Sequence, residues 1–261
     1  MPVRTAATDP VEGEGAQRPR ALVDRPWPIV GRPVLFIPVG STEQHGPHLP
    51  LDTDTVIAAA VAEELAERRR AVGEDAVVAP AVGFGASGEH QAFPGTISIG
   101  TAALEAVVIE LCRSATTWVD RIVFVNGHGG NVPALTAAVS RVRVEEDRDA
   151  AWLSCVPREG IDETDTHAGR LETSVMLHLE PMRVHESAIE RGVTEPLPDL
   201  MPSLRADGVS AVSPNGVLGD PTHATAADGA RIFESICDRA WHLVRGGHVD
   251  SAGRLMGARP A

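Results

Sequence analysis

The stretch PVLFIPV at 33–39 is a continuous apolar run that stops at Gly40. A run of that length without polar alternation predicts a strand buried on both faces. Residues 53–71 then keep a helical rhythm, with Asp52 placed as N-cap and Gly73 just past the end. The order repeats along the chain. A second apolar run, 75–82, leads into a Gly-rich loop at 83–100 and a helix at 101–119, with Thr101 as cap and Glu105 close to the capping-box position. A third run, 121–127, precedes a helix at 132–146, whose first turn tolerates Pro133. A fourth, 150–156, precedes a short amphipathic helix at 168–179. The Pro-rich stretch 181–222 reads as irregular, and a final helix spans 224–246. Strands alternating with helices require right-handed crossovers. The expected fold is therefore α/β: a single three-layer domain over 23–250, with a mostly parallel central sheet flanked by helices. Residues 1–22 are expected to form a disordered tail and 251–261 a flexible one. No internal repeat is visible.

Composition narrows the function without choosing it. The chain has 261 residues, enough to bury a sizeable core. No apolar run approaches the roughly 18 residues that suggest a membrane span. The first 20 residues lack the apolar centre of a signal peptide, so a cytoplasmic location is expected. A net charge of −13 argues against nucleic acid, which would need a basic face. The three cysteines, Cys112, Cys155 and Cys237, are far apart and suggest neither a disulfide framework nor a thiolate zinc site.

Parallel sheets bind ligands outside the carboxyl ends of their strands, and the unusual polar residues collect there. Glu43 and His45 follow the first strand two residues apart, which in extended chain sets them on one side. His90 lies after the second strand, His128 after the third, and His167 with Glu172 after the fourth. Each has a plain alternative when taken alone. Glu43, His45 and His48 suit a surface turn, Asp52 a helix cap, Asp54 a solvated first turn, and His167 another cap. Taken together they supply carboxylates and imidazoles without thiolate, a donor set for zinc, iron or manganese. Three carboxylates can share two cations, and such a pair generates hydroxide near neutral pH and polarises a carbonyl. VNGHGGN at 125–131 lacks both the Walker A and the dinucleotide spacing; its glycines let His128 project, while Asn126 and Asn131 would hold the turn. There is no GxSxG and no cysteine beside a candidate histidine, which disfavours a serine or cysteine nucleophile. His167 is the candidate proton donor to a leaving amine. Glu89, His90 and Asn126 are the candidates for substrate contact. A non-catalytic metal- or anion-binding role uses the same residues.

At PVGSTEQHGPHLPLDTDT, GEHQAFPGT, VNGHGGN and HAGRLETS the sequence resembles the creatininase family of metal-dependent amidohydrolases, from about residue 27 to 245. The resemblance implies an α/β fold, two divalent ions per subunit (zinc or iron, with manganese as a third choice) and ring-shaped homo-oligomers, often hexamers. It implies Glu43, His45, Asp54 and His128 as ligands, with Asp54 bridging. Creatininase carries a Glu two residues after the His of the third motif, where this chain has Gly130. Glu172 is the choice for the missing ligand, with a catalytic part as well. WPIVGRP, FGASGEHQAFPGTISIG and VSPNGVLGDPTHATAADG are similar to a peptidase branch of the family. The substrate expected from that likeness is a modified precursor peptide, which loses a C-terminal Val-Tyr-derived dipeptide. The alternative is a small cyclic amide or a formamide.

Overall fold

The structure, a computed structural model, describes residues 19–157, 159–160 and 162–257. Its centre is a four-stranded parallel sheet of β1 (Val34–Val39), β2 (Ala76–Val78), β3 (Arg121–Asn126) and β4 (Ala150–Ser154), in the order β2-β1-β3-β4. The helices are α1 (Thr53–Ala71), α2 (Gly100–Ala115), α3 (Val132–Glu146), α4 (Arg170–Leu179), α5 (Leu197–Asp207), α6 (Val209–Val212) and α7 (Ala226–Gly246). A two-stranded antiparallel ribbon, β5 (His248–Val249) and β6 (Leu255–Met256), closes the chain.

The two-residue period of each strand divides its side chains between two cores. Leu35, Ile37, Val39, Ile122, Phe124 and Trp152 pack with Leu104, Val108, Leu135 and Val139 of α2 and α3. Val34, Phe36, Val123, Val125 and Leu153 pack with Val61, Leu65, Ile236 and Ala240 of α1 and α7. Both faces are covered, which is why β1 is apolar at every position. Pro38 sits inside this central strand. Its carbonyl bonds toward the β2 side, to the amide of Val82, and its nitrogen faces the same way. The last β2 pair is Phe36 with Val78, so the missing N–H breaks no rung of that ladder.

Several local expectations are corrected. Helix α2 begins at Gly100 with Ile99 at the N-cap position, so Thr101 lies inside the helix and does not cap it. Asp52 occupies the N-cap position of α1 without a side-chain cap bond; its carboxylate faces Arg183 at 2.5 Å instead. The stretch 181–222 contains α5 and α6, even though Pro198 and Pro202 fall within α5. Proline is compatible with a first turn, and α5 packs against the 3-10 turn Gly88–His90. Residues 251–257, expected to be flexible, are built into the fold. Arg254 bridges to Trp152, and Leu255 is 2% exposed. At the opposite edge Ala21 bridges to Val78. Segments from both ends of the described chain thus cover sheet edges that would otherwise be open to pairing. Residues 1–18 and 258–261 of the expected tails lie outside the described residues. Among the described residues no helix is long and apolar enough to cross a membrane.

Candidate metal centre

Beyond Val39 the chain folds back on itself. The amide of Glu43 bonds to the carbonyl of Leu51, and His45 bridges to Leu49. This tight loop buries Glu43 and His45 completely and leads straight into α1, whose first turn carries Asp54, 2% exposed. His128 follows β3, and His167 and Glu172 follow β4. Ala168, between them in sequence, has φ of 50° and is fully buried. A left-handed, β-carbon-bearing residue is strained, and here its N–H is delivered to Glu172 Oε2 at 2.6 Å.

His45 Nε2 lies 3.2 Å from Asp54 Oδ1, and its Nδ1 is 3.2 Å from the backbone carbonyl of Glu43. A carbonyl can only accept, so Nδ1 carries a proton and Nε2 is the ligand nitrogen. His128 Nε2 is 3.2 Å from the carbonyl of Ala86 and 3.2 Å from Glu43 Oε2. Its Nδ1 is 3.3 Å from Asp54 Oδ2. Glu172 Oε2 is 3.9 Å from His45 Nε2. Three groups have donor atoms within 4.8 Å of one another: Glu43–Asp54–His128, His45–Asp54–Glu172 and Glu43–His45–His167. Asp54 belongs to the first two.

Both carboxylate oxygens of Glu43, and Oδ2 of Asp54, are buried without a hydrogen bond. Orphaned carboxylate oxygens in a closed site are costly unless a positive charge meets them. With imidazole nitrogen beside them they form the donor set of a zinc, manganese or iron centre, so the residues present fit divalent cations. Protons and imidazolium charges fill that electrostatic role in the metal-free site. Burial pushes Glu43 up, and the charge of Asp54 adds to it, to about 7. Glu172 rises to about 7, chiefly through burial, against the pull of His45. Burial alone would lower His45, but Asp54, Glu172 and Glu43 outweigh it and raise it to about 10. Burial likewise opposes a charge on His128, while Glu43 and Asp54 raise it to about 9. Asp54 is held well below the usual carboxylate range, because His45 and His128 overcome its burial.

His90 and His167 stay neutral. His90 falls to about 3 through burial and the charges of His128 and His45. His167 is lowered well below its ordinary value by burial, His45 and His90. His167 Nε2 donates to the carbonyl of Gln44 at 2.8 Å. Its Nδ1, 3.8 Å from Glu43 Oε1, therefore carries a lone pair and must take up a proton before it can give one. His48 lies outside the ligand groups and bonds through Nε2 to Thr173 at 2.8 Å, bracing α4.

The site opens into a cleft of about 1110 Å³. Asp54, Glu89, His90, His128, His167 and Glu172 line it on one side; Leu197, Met201, Leu204 and Arg205 of α5 line it on another. Part of the Pro-rich segment is thus a wall of the cleft. Asn126 is not: it is 2% exposed and its amide is engaged with His128 and Asn131 in holding the turn. At Gly130 a β-carbon would stand 2.3 Å from the carbonyl of Ala86 and 2.4 Å from His128 Nε2, so no side chain fits there. Sequence reasoning passed over Gln44, which lies between His90 and His167.

A family model described as "Creatininase: Creatinine amidohydrolase" matches residues 28–244. Over 224 residues the chain is 55% identical to a mycofactocin precursor peptide peptidase of Mycolicibacterium smegmatis, covering 85% of this chain and 89% of that protein. Among solved structures, "Creatininase Mn" is similar with a TM-score of 0.69 at 26% identity, over 86% of this chain and 96% of that one. A mutant creatininase of Zn-Zn type is similar with a TM-score of 0.65 at 28% identity, over 82% and 90%.

Proposed function

The chain belongs to the creatininase family, and we propose that it is a metal-dependent peptidase. It hydrolyses one amide near the C-terminus of a modified precursor peptide and releases a Val-Tyr-derived dipeptide. The observation that carries the chemistry is the pair of ligand groups sharing Asp54, with orphaned carboxylate oxygens, at the floor of an open cleft. The substrate class is drawn from the relative at 55% identity, whose name specifies a precursor peptide.

Glu43, Asp54 and His128 would hold one divalent cation, and His45, Asp54 and Glu172 the second. Such a pair lowers the pKa of water toward neutrality and polarises a carbonyl. The protein supplies the rest. The backbone N–H of Ala168 holds Glu172 Oε2, the oxygen that faces His45 Nε2. The bare Nδ1 of His167 takes a proton at the start of the reaction and returns it to the leaving amine. His90 and Glu89 border the peptide on one side and α5 on the other. Gly130 keeps the turn after β3 free of the side chain that creatininase carries there, and Glu172 takes over as ligand. Assembly into a homo-oligomer, with six copies expected, is part of the same proposal.

The test is to incubate metal-loaded protein separately with the modified peptide, the unmodified peptide and creatinine, and to weigh the products. A dipeptide derivative released from the modified peptide supports the proposal. Turnover of creatinine with both peptides intact would replace it with a small-amide hydrolase.

A further inference from the structure

Gln44 lies between two ligand residues in sequence, is 5% exposed, and places its amide between two cleft histidines. Its orientation is fixed by two groups whose roles cannot change. The N–H of Gly46 can only donate, and it meets Gln44 Oε1 at 2.9 Å. The carbonyl of Gly216 can only accept, and it lies 3.1 Å from Gln44 Nε2. The amide therefore cannot be flipped. One of its two N–H protons goes to Gly216. The other faces His90 Nδ1 at 2.9 Å and His167 Nε2 at 3.0 Å. His167 Nε2 already points a proton at the backbone carbonyl of Gln44, 2.8 Å away, and cannot accept another. The second proton therefore belongs to His90.

On this geometry we propose that Gln44 is a positioning residue that fixes both cleft histidines in the Nε2–H tautomer while turning opposite ends of the two rings, one a donor and one an acceptor, toward Glu43. The side chain accepts no proton from His90, so His90 Nδ1 is bare and Nε2 carries the hydrogen, 3.5 Å from Glu43 Oε1. The backbone carbonyl of the same residue imposes the same tautomer on His167, hydrogen on Nε2 and lone pair on Nδ1, but there the bare Nδ1 is the atom that faces Glu43, at 3.8 Å. One residue thus sets His90 as a fixed donor and His167 as a fixed acceptor. Their rings stand 4.4 Å apart, centroid to centroid. A donor of that kind suits the oxygen of the scissile amide, where negative charge develops; an acceptor suits the attacking water. The segment carrying Gly216 belongs to the same device. Gly216 has φ of 79°, and a β-carbon there would stand 2.0 Å from Gln44 Oε1. Two residues on, the backbone of Leu218 pairs with His167 in both directions, at 3.1 and 2.9 Å. This accounts for VSPNGVLG, a stretch otherwise remote from the chemistry.

The part that concerns turnover rests on the proposed hydrolysis; the tautomers do not, so the experiment reads them first. Zinc-loaded protein with ring-15N-labelled histidine is examined by NMR, with His90→Gln and His167→Gln used to assign the two rings. Hydrogen on Nε2 of both rings, with bare Nδ1, is expected in the wild type. Hydrogen on Nδ1 of either ring overturns the proposal without touching the peptidase assignment. Gln44→Met and Gln44→Glu remove the donor to His90 but keep the backbone carbonyl. In Gln44→Met His90 should lose its single tautomer, and in Gln44→Glu the acceptor-only carboxylate should draw the hydrogen onto His90 Nδ1, while His167 and the zinc content should not change. The expected kinetic effect on the precursor peptide is a fall in kcat of about 10–100-fold, the usual range for a residue that orients an active group, with KM nearly constant. An unaltered His90 spectrum in both variants, or an altered one with unchanged kcat, refutes the positioning role.

Discussion

Loading the metal-free protein with zinc at pH 7 should release about two to three protons per chain. At that pH His45, at about 10, and His128, at about 9, are both cationic, and each must lose a proton before it offers a lone pair. Glu43 and Glu172, each at about 7, are about half protonated and together add about one more. Every pKa unit above the working pH costs about 1.36 kcal/mol of metal affinity. The sign follows: protons compete with the metal, so affinity climbs from pH 7 and levels off once His45 is neutral, above about 10. Calorimetry of zinc binding in buffers of different ionisation enthalpy counts the protons. Chelator competition at several pH values gives the slope. Release of less than about half a proton, with affinity flat between pH 7 and 9, would show that these imidazoles are not the ligands.

Asp54→Asn should lose both metals, because Asp54 belongs to both ligand groups; Asp52→Ala breaks only a half-exposed ion pair with Arg183, typically worth about 1 kcal/mol or less, and should keep its metals. Equal metal content in the two variants counts against a shared Asp54. Gly130→Ala forces a β-carbon to within 2.3 Å of the Ala86 carbonyl and should lower both melting temperature and activity; a variant as stable and active as the parent would show that the turn has room. Without metal, the melting temperature should fall as pH rises. Glu43 and Glu172 are raised from 4.5 to about 7, so their contribution is complete below 4.5 and lost as pH passes 7. His45 and His128 are raised from 6.5, and theirs is lost through about 9 to 10. A metal-free protein that grows more stable from pH 6 to 9 contradicts those assignments.

The sheet was legible because burial on both faces leaves no polar residue in β1, and because each apolar run stops where a loop begins. Glu43 and His45 could be paired from their spacing, and Glu172 could be placed with them because it follows the fourth strand. Proline concealed α5, whose helix is stabilised by packing against the Gly88–His90 turn, a contact distant in sequence. The packing of 251–257 was hidden for a similar reason: two short strands and a bridge to Trp152 carry little local signal. Gln44 was missed by the parity argument that found its neighbours. In a straight strand it would point away from Glu43 and His45, but the chain turns there, and Gly46 and Gly216 draw its amide between the two histidines. Of the two roles expected for Asn126, holding the turn and touching substrate, the structure engages its amide in the first.

The central claim is that two cations share Asp54. Anomalous diffraction at the zinc edge from crystals of the zinc-loaded protein tests it most directly. Two peaks are predicted, each within the roughly 2.0–2.3 Å reach of zinc ligands, one touching Glu43, Asp54 and His128 and the other His45, Asp54 and Glu172. A single peak, or a second peak with no contact to Asp54, would contradict the account.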